Sequence, residues 1–392
     1  MKILFLNEMM DSCSVSFYIR EQTAIELAKR GNKVTMISPS ISSPSIGKSY
    51  LKNGIKYVFS PGLLPAKYRR GGFGVLDLIT KIIYVLFQNY SIIHSTAGHR
   101  PAQFIPAIIS KWLKRSKIID EWWEWYDKEG RASTRVSFIG KIIAKYDDMF
   151  ELKFKKPFDH IISISTYLQK RLINRGVSSA KTSILFGAID STKFVNYPKN
   201  DARNEVNIPS NNVVLGLIAV GEADHDDNKI FIESFFKLIK SYPNLQLFVT
   251  GEKDYIYKIF GKLIGSNVIY KGWLSFKQYN LHLSSCDSFI LPLNPVPRNL
   301  GRWPHKFSEF VFLERPIITG KIGDQANLVS KFEIGYCLDN NTASYCSCIK
   351  RIIKGFEITN KEGFNTLKSK LTISYRTDNF QKIYEDLTDN NL

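Results

Sequence analysis

Lys2-Ile3-Leu4-Phe5-Leu6-Asn7, a short apolar run at the start of the chain, sets the period by which the rest is read. A strand buried on both faces of a parallel sheet carries such a near-continuous run. Residues 18–30 follow, with Ile19, Ala24, Leu27 and Ala28 on one helical face and Gly31 at the position that ends a helix. Residues 33–38 form the next apolar run, so the chain opens as strand, helix, strand.

The alternation continues outward. Strands are expected near 55–59, 91–94, 117–121, 160–165 and 182–186, and helices near 75–88, 101–114, 136–155 and 166–175. Residues 1–193 therefore read as one doubly wound domain. Residues 194–212 are rich in Asn, Pro and charge and lack apolar periodicity, which reads as a linker. A second series follows over 213–365, with strands near 213–219, 245–250, 268–270, 288–291 and 316–319 and helices near 229–240, 253–263, 276–284 and 304–313. The last segment, 366–392, carries an amphipathic helix near 379–387 that is expected to return to the first domain. The expected fold class is α/β, two Rossmann-like β/α/β domains facing each other across a cleft. Ligands of open parallel sheets lie at the carboxyl ends of the strands, so function is expected in that cleft.

Composition agrees and narrows the function. A chain of 392 residues exceeds one hydrophobic core, which favours two domains. With 44% hydrophobic and 13% aromatic residues it is not a disordered chain. A net charge of +18 points to an anionic partner: nucleic acid, anionic lipid or a phosphorylated small molecule. No zinc-finger spacing, RNP sequence or lone basic recognition helix is present, which argues against nucleic acid. The odd set Cys13, Cys286, Cys337, Cys346 and Cys348 contains no C-x-x-C pair, which fits a reducing compartment better than a disulfide framework. The first apolar run is too short for a signal peptide, and residues 76–87, broken by Asp77 and Lys81, fall far short of the roughly 20 apolar residues of a spanning helix. A cytoplasmic protein, peripheral on the membrane at most, is expected.

The segment Gly301-Arg302-Trp303-Pro304-His305-Lys306-Phe307-Ser308-Glu309 carries the most chemistry. Pro304 suits the first turn of a helix, Gly301 permits close backbone approach, and Arg302 and Lys306 lie a turn apart. Free N–H groups, the helix dipole and two cations lead to the expectation of an anion site here, of a kind that favours a diphosphate. Further motifs stand in order along the chain: Phe158-Asp159-His160-Ile161-Ile162-Ser163, Ile184-Leu185-Phe186-Gly187, Val220-Gly221, Asn267-Val268-Ile269-Tyr270-Lys271-Gly272-Trp273, Cys286-Asp287-Ser288 and Arg315-Pro316-Ile317-Ile318. Together they resemble the GT-B glycosyltransferases of family 4, also called group 1, over almost the whole chain.

The resemblance implies transfer from a nucleoside-diphosphate sugar, with retention of configuration and without a metal or other cofactor. It assigns donor binding to Gly221, Lys229, Trp273 beside the base, Leu300, Gly301, Arg302, Lys306 and Glu309. Glu309 matches the second glutamate of the family's E-x7-E motif, which takes the ribose hydroxyls. Two positions depart: Gly301 stands where the first glutamate is usual, and Glu222 where an arginine often follows Gly221, for which Arg302 is expected to compensate. Asp224-His225-Asp226 has the D-x-D spelling of a metal loop in another transferase fold, but ahead of a helix it reads as an N-cap.

In the first domain Glu121 and Glu124, within Asp120-Glu121-Trp122-Trp123-Glu124-Trp125, are candidates for polarising the acceptor hydroxyl. His94 is expected to face the core and His99 the cleft, with a catalytic role for His99. Lys67, Arg69 and Arg70, ahead of the helix near 75–88, form a basic segment suited to an anionic membrane surface. The expected partners are the nucleotide-sugar donor, a saccharide or lipid-linked acceptor and an anionic membrane, with no nucleic acid, in surface polysaccharide or glycolipid synthesis. The alternative is a catalytically inactive, nucleotide-sugar-binding subunit of another transferase, kept open by Gly301 and Glu222.

Overall fold

The structure is a computed structural model and describes residues 1–8, 15–40, 47–62, 71–135, 137–356 and 360–389. The chain divides into two compact units: Met1–Ala188 with Thr372–Leu392, and Ile189–Leu371.

The first unit contains β1 (Lys2–Leu6), α1 (Val15–Lys29), β2 (Lys33–Pro39), β3 (Lys48–Lys52), β4 (Ile55–Ser60), α2 (Val75–Phe87), β5 (Ile92–Thr96), α3 (Pro101–Lys114), β6 (Lys117–Trp122), α4 (Phe138–Phe150), β7 (His160–Ser163), α5 (Thr166–Asn174) and β8 (Thr182–Ile184). Its sheet runs β3-β4-β2-β1-β5-β6-β7-β8. Every pairing is parallel except β3 with β4. The order reverses between β1 and β5, the topological switch point at which open α/β sheets take ligands. Gly31 ends α1 with φ of +86° and open space around an added Cβ, so the left-handed backbone is what calls for glycine there.

The second unit contains α6 (Lys199–Glu205), β9 (Val213–Val220), α7 (His225–Ile239), β10 (Leu245–Gly251), α8 (Lys253–Phe260), β11 (Val268–Ile269), α9 (Phe276–Ser284), β12 (Ser288–Leu291), α10 (Pro297–Gly301), α11 (His305–Phe312), β13 (Ile317–Gly320), α12 (Gly323–Lys331), β14 (Gly335–Leu338), α13 (Thr342–Ile353) and α14 (Lys361–Lys370). Its all-parallel sheet runs β11-β10-β9-β12-β13-β14, with the switch point between β9 and β12. The final helix α15 (Ile373–Asp389) belongs to the first unit, where Phe380 and Tyr384 enter the core beside Phe5, Ile92 and Ile119. Each buried aromatic of that kind contributes roughly 2 kcal/mol.

Several elements differ from the sequence reading. The stretch 194–212, expected as a linker, lies in the second unit and carries α6. Its anchor is a buried arginine rather than an apolar stripe: Arg203 Nη2 meets Asp287 Oδ2 at 2.6 Å and Nε donates to the Ser285 carbonyl. Strand β3 escaped notice because all five residues are exposed, which leaves no burial pattern. β14 and α12 to α14 add to the second series.

Candidate functional site

Three chain segments meet at the β9/β12 switch point. β9 ends at Val220, and Gly221 follows so closely against Glu252 that an added Cβ would lie 2.6 Å from its carboxylate. Glu252 Oε2 also accepts the Glu222 N–H at 3.2 Å. After β12 the chain turns through Asn294 into α10, and this turn is tied to α7 by Asp227. Its Oδ1 accepts from Asn294 N and Asn299 Nδ2, both at 2.9 Å. The acidic stretch thus works as a brace. The N-cap expected from it is not formed: Asp224 stands at the cap position of α7 without a side-chain cap bond.

Arg302 lies between α10 and α11. Its Nη1 donates to Asn299 Oδ1 at 3.3 Å and stands 3.6 Å from both Asp224 Oδ1 and Asp227 Oδ2. The positive charge expected to be free for phosphate is therefore already balanced by two carboxylates. Pro304 occupies the N-cap of α11, one residue ahead of the expected first turn. Trp303 is buried and donates to Ser308 Oγ at 3.1 Å. Lys306, in the first turn, reaches back to the Ile218 carbonyl of β9 at 3.0 Å. Burial lowers its pKa, against the pull of Asp224, Asp227 and Glu309.

One turn further along α11, Glu309 Oε2 accepts from the Tyr279 hydroxyl of α9 at 2.8 Å. Among the described residues no hydrogen bond engages Oε1, so one oxygen is fixed and the other is offered. Burial raises the Glu309 pKa, opposed by the Tyr279 hydrogen bond and Lys306, and burial together with Glu309 holds the Tyr279 hydroxyl far above its usual range. Gly301 is buried at the end of α10 and Leu300 half-buried before it. Lys229 is exposed on α7, and Trp273 is fully exposed, held by no packing that would border a base.

The first unit's switch point is built differently. Glu8 follows β1 and accepts from Thr96 Oγ1 of β5, while Glu121 at the end of β6 is buried. Glu121 pairs with Arg376 of α15, lies 3.5 Å from Arg20 Nε and 3.6 Å from His94 Nε2, and accepts from Trp123 Nε1 at 3.0 Å. The Arg20 and Arg376 guanidinium groups stack on the Trp123 ring at 4.9 and 4.8 Å. Burial, with Arg20 nearby, lowers the Arg376 pKa to about 9. Glu124 is partly exposed and pairs with Arg131.

His94 is buried as expected, its Nδ1 2.5 Å from the Tyr384 hydroxyl. His99 is a correction: instead of opening to the expected cleft it is fully buried, with Nε2 2.8 Å from Asp147 Oδ1 of α4. Burial lowers its pKa to about 4 despite the Asp147 bond, which favours a neutral ring. Lys67, Arg69 and Arg70 lie outside the described residues.

Sequence reasoning missed Tyr279, Asp227, Asn299, Arg20 and Arg376. Tyr279, Asp227, Arg20 and Arg376 act on singled-out residues from distant segments with no local motif, and Asn299 acts on Arg302 from three residues away through a side chain of no distinctive spacing. Asp227 has a signal, the acidic stretch at the start of α7, but that stretch suggests a cap and not a tie to Asn294 and Asn299.

No protein-family model and no curated protein matches this sequence. Solved structures do. Sucrose-phosphate synthase from Thermosynechococcus elongatus superposes with a TM-score of 0.72 at 16% identity, covering 99% of each chain. A glycosyltransferase from Rickettsia africae gives 0.70 at 14% identity, again covering 99% of each chain. HepE from Anabaena, solved in complex with UDP and glucose, gives 0.65 at 14% identity over 99% of this chain and 100% of its own. The fold is that of the two-domain GT-B glycosyltransferases.

Proposed function

We propose that the protein is a glycosyltransferase, similar to family 4 members, that binds a nucleoside-diphosphate sugar at the β9/β12 switch point. The observation that carries this reading is Glu309, held through one oxygen by Tyr279 and presenting the other beside Lys306 and the start of α11. A carboxylate so placed suits a vicinal diol of ribose, and the helix start suits a diphosphate. The fold neighbours support the donor class: HepE is solved with UDP-glucose and starch synthase IV from Arabidopsis thaliana with ADP.

In this reading Lys306, Arg302 and Lys229 take up charge on the departing nucleotide, the work a metal would otherwise do; retention of configuration is what the similarity to family 4 members implies. Arg302 exchanges Asp224 and Asp227 for phosphate oxygens as the donor enters. The acceptor is a saccharide or a lipid-linked saccharide, handled on the first unit at the cytoplasmic membrane face, where Lys67, Arg69 and Arg70 add attraction. The prior balancing of Arg302 and the glycine at position 301 favour a second reading, an inactive donor-binding subunit.

Thermal unfolding against a panel of nucleotide sugars tests donor binding, since a ligand at about 100 times its dissociation constant stabilises by about 2.7 kcal/mol. No shift with any donor removes the reading. Hydrolysis of the stabilising donor separates the enzyme from the inactive subunit, which leaves it intact.

A further inference from the structure

Helix α2 is built inside out. Its buried side carries the charges: Lys81 Nζ meets Asp77 Oδ2 at 2.7 Å and the Asn7 carbonyl at 2.7 Å, and Ser60 Oγ donates to Asp77 Oδ1 at 2.7 Å. Its outer side carries Val75, Ile79, Ile83, Leu86 and Phe87, of which Val75 and Phe87 are 69% and 79% exposed. A helix of a water-facing domain turns its apolar stripe inward. Here the ion pair satisfies itself underneath, and a charge-free apolar stripe faces out.

A second such stripe lies close by. On α4, Phe138, Ile142 and Met149 fall along one exposed face with Ile139 beside them, interleaved with exposed Lys141 and Lys145. Phe73, just ahead of α2, packs edge-on against Tyr146 of α4 at 5.1 Å, so the start of α2 and the middle of α4 are neighbours. At the far end of α3, the helix packed beside α2, Trp112, Leu113, Lys114 and Arg115 are exposed as well. Exposed apolar area of this extent on one unit marks an interaction surface.

We propose that this face of the first unit docks on an anionic lipid bilayer. Acyl carbon takes the apolar stripes, and anionic headgroups meet the lysines that border them. A second copy is the poorer occupant, because it would bring another +18 of like charge against the same cations. The face deepens the lipid-linked acceptor reading, on which it rests for its purpose alone. Vesicle binding requires no donor, so failure here leaves the donor site standing, and failure of the donor site leaves this face standing.

The test is flotation of the full chain with vesicles of phosphatidylcholine alone or mixed equally with phosphatidylglycerol. The wild-type chain is expected to float with the mixed vesicles. Ile79→Ser with Ile83→Ser, and separately Ile139→Ser with Ile142→Ser, should each lower its partition about tenfold or more, as loss of two buried apolar side chains requires. Lys141→Glu with Lys145→Glu should lower it in dilute buffer and much less in concentrated salt. The two apolar pairs sit on separate helices, so loss of folding in one, seen by circular dichroism, leaves the other as the test. Undiminished flotation of a folded apolar pair overturns the proposal. So does a wild-type dimer in sedimentation that Ile79→Ser with Ile83→Ser dissociates, which would give the face to a second copy.

Discussion

The two units meet the same problem, the carboxyl ends of parallel strands around a switch point, and solve it in opposite ways. In the first unit Glu8 and Glu121 are buried and matched by Arg20 and Arg376, with Trp123 between the guanidinium groups. In the second unit Arg302, Asp224 and Glu309 remain partly accessible, and Glu309 keeps one oxygen free of hydrogen bonds among the described residues. Buried ion pairs serve as structure, because removing one partner strands a charge. Half-exposed ones can exchange partners, which is what a ligand site needs. The difference suits the first network to holding α15 in place and the second to the proposed donor site.

The largest expected effect breaks the first network. Arg376→Ala leaves Glu121 without its closest cation in a buried place, and should cost about 3 to 5 kcal/mol of unfolding free energy. Denaturant unfolding checks this, and a loss no greater than a surface substitution would make the network ornamental. His99 gives the next effect. Its pKa is lowered to about 4 in the folded chain, against an ordinary value near 6.5, so the unfolded chain binds more protons between these values. Stability should therefore be full above about pH 6.5 and fall by about 3 kcal/mol as pH drops through about 4. Comparison with His99→Gln isolates the term, and parallel pH curves for the two chains would contradict the burial.

The second unit predicts a split between stability and turnover. Arg302→Ala should leave unfolding within about 1 kcal/mol of the wild type, since its carboxylate contacts are long, its own side chain is partly exposed, and the buried Asp227 keeps Arg298 at 3.7 Å. On the donor found by screening it should raise the reaction barrier by roughly 3 kcal/mol. Arg302→Lys should recover only part, because a point charge does not reproduce the bidentate fork. Near-normal turnover in Arg302→Ala would return the phosphate role to Lys306 and Lys229. The smallest effect is Tyr279→Phe, with a loss of about 1 kcal/mol in donor binding. The Tyr279 bond also holds the Glu309 pKa down, so its removal should move the acid-side loss of donor binding to higher pH. An unshifted pH profile would leave Tyr279 a packing residue only.

How much of this was legible in the sequence follows from which forces are local. Apolar runs such as Lys2–Leu6 and Ser288–Leu291 announce buried strands by themselves, and the order of motifs around Gly301 and Glu309 pointed to the fold. The wholly exposed β3 and the arginine-anchored α6 carry no such period. His99 was placed by its position after β5, but its environment is set by Asp147, 48 residues on. The cations around Glu121 come from α1 and α15, the latter 255 residues away, so the site read as catalytic could not be recognised as already filled. Local spacing located the strand ends, whereas only three-dimensional proximity tells which of their charges are spoken for.

The central claim is that Glu309, steadied by Tyr279, reads the ribose of a nucleotide at the second switch point. Calorimetric titration of UDP and ADP, each beside its 2′-deoxy form, into wild-type protein and Glu309→Ala tests it most directly. The account predicts that whichever nucleotide binds loses about 1.5 to 3 kcal/mol in Glu309→Ala, the range for a hydrogen bond to a charged group, and that the variant no longer prefers ribose to deoxyribose. Equal affinity of the folded variant and the wild type for the same nucleotide would contradict it.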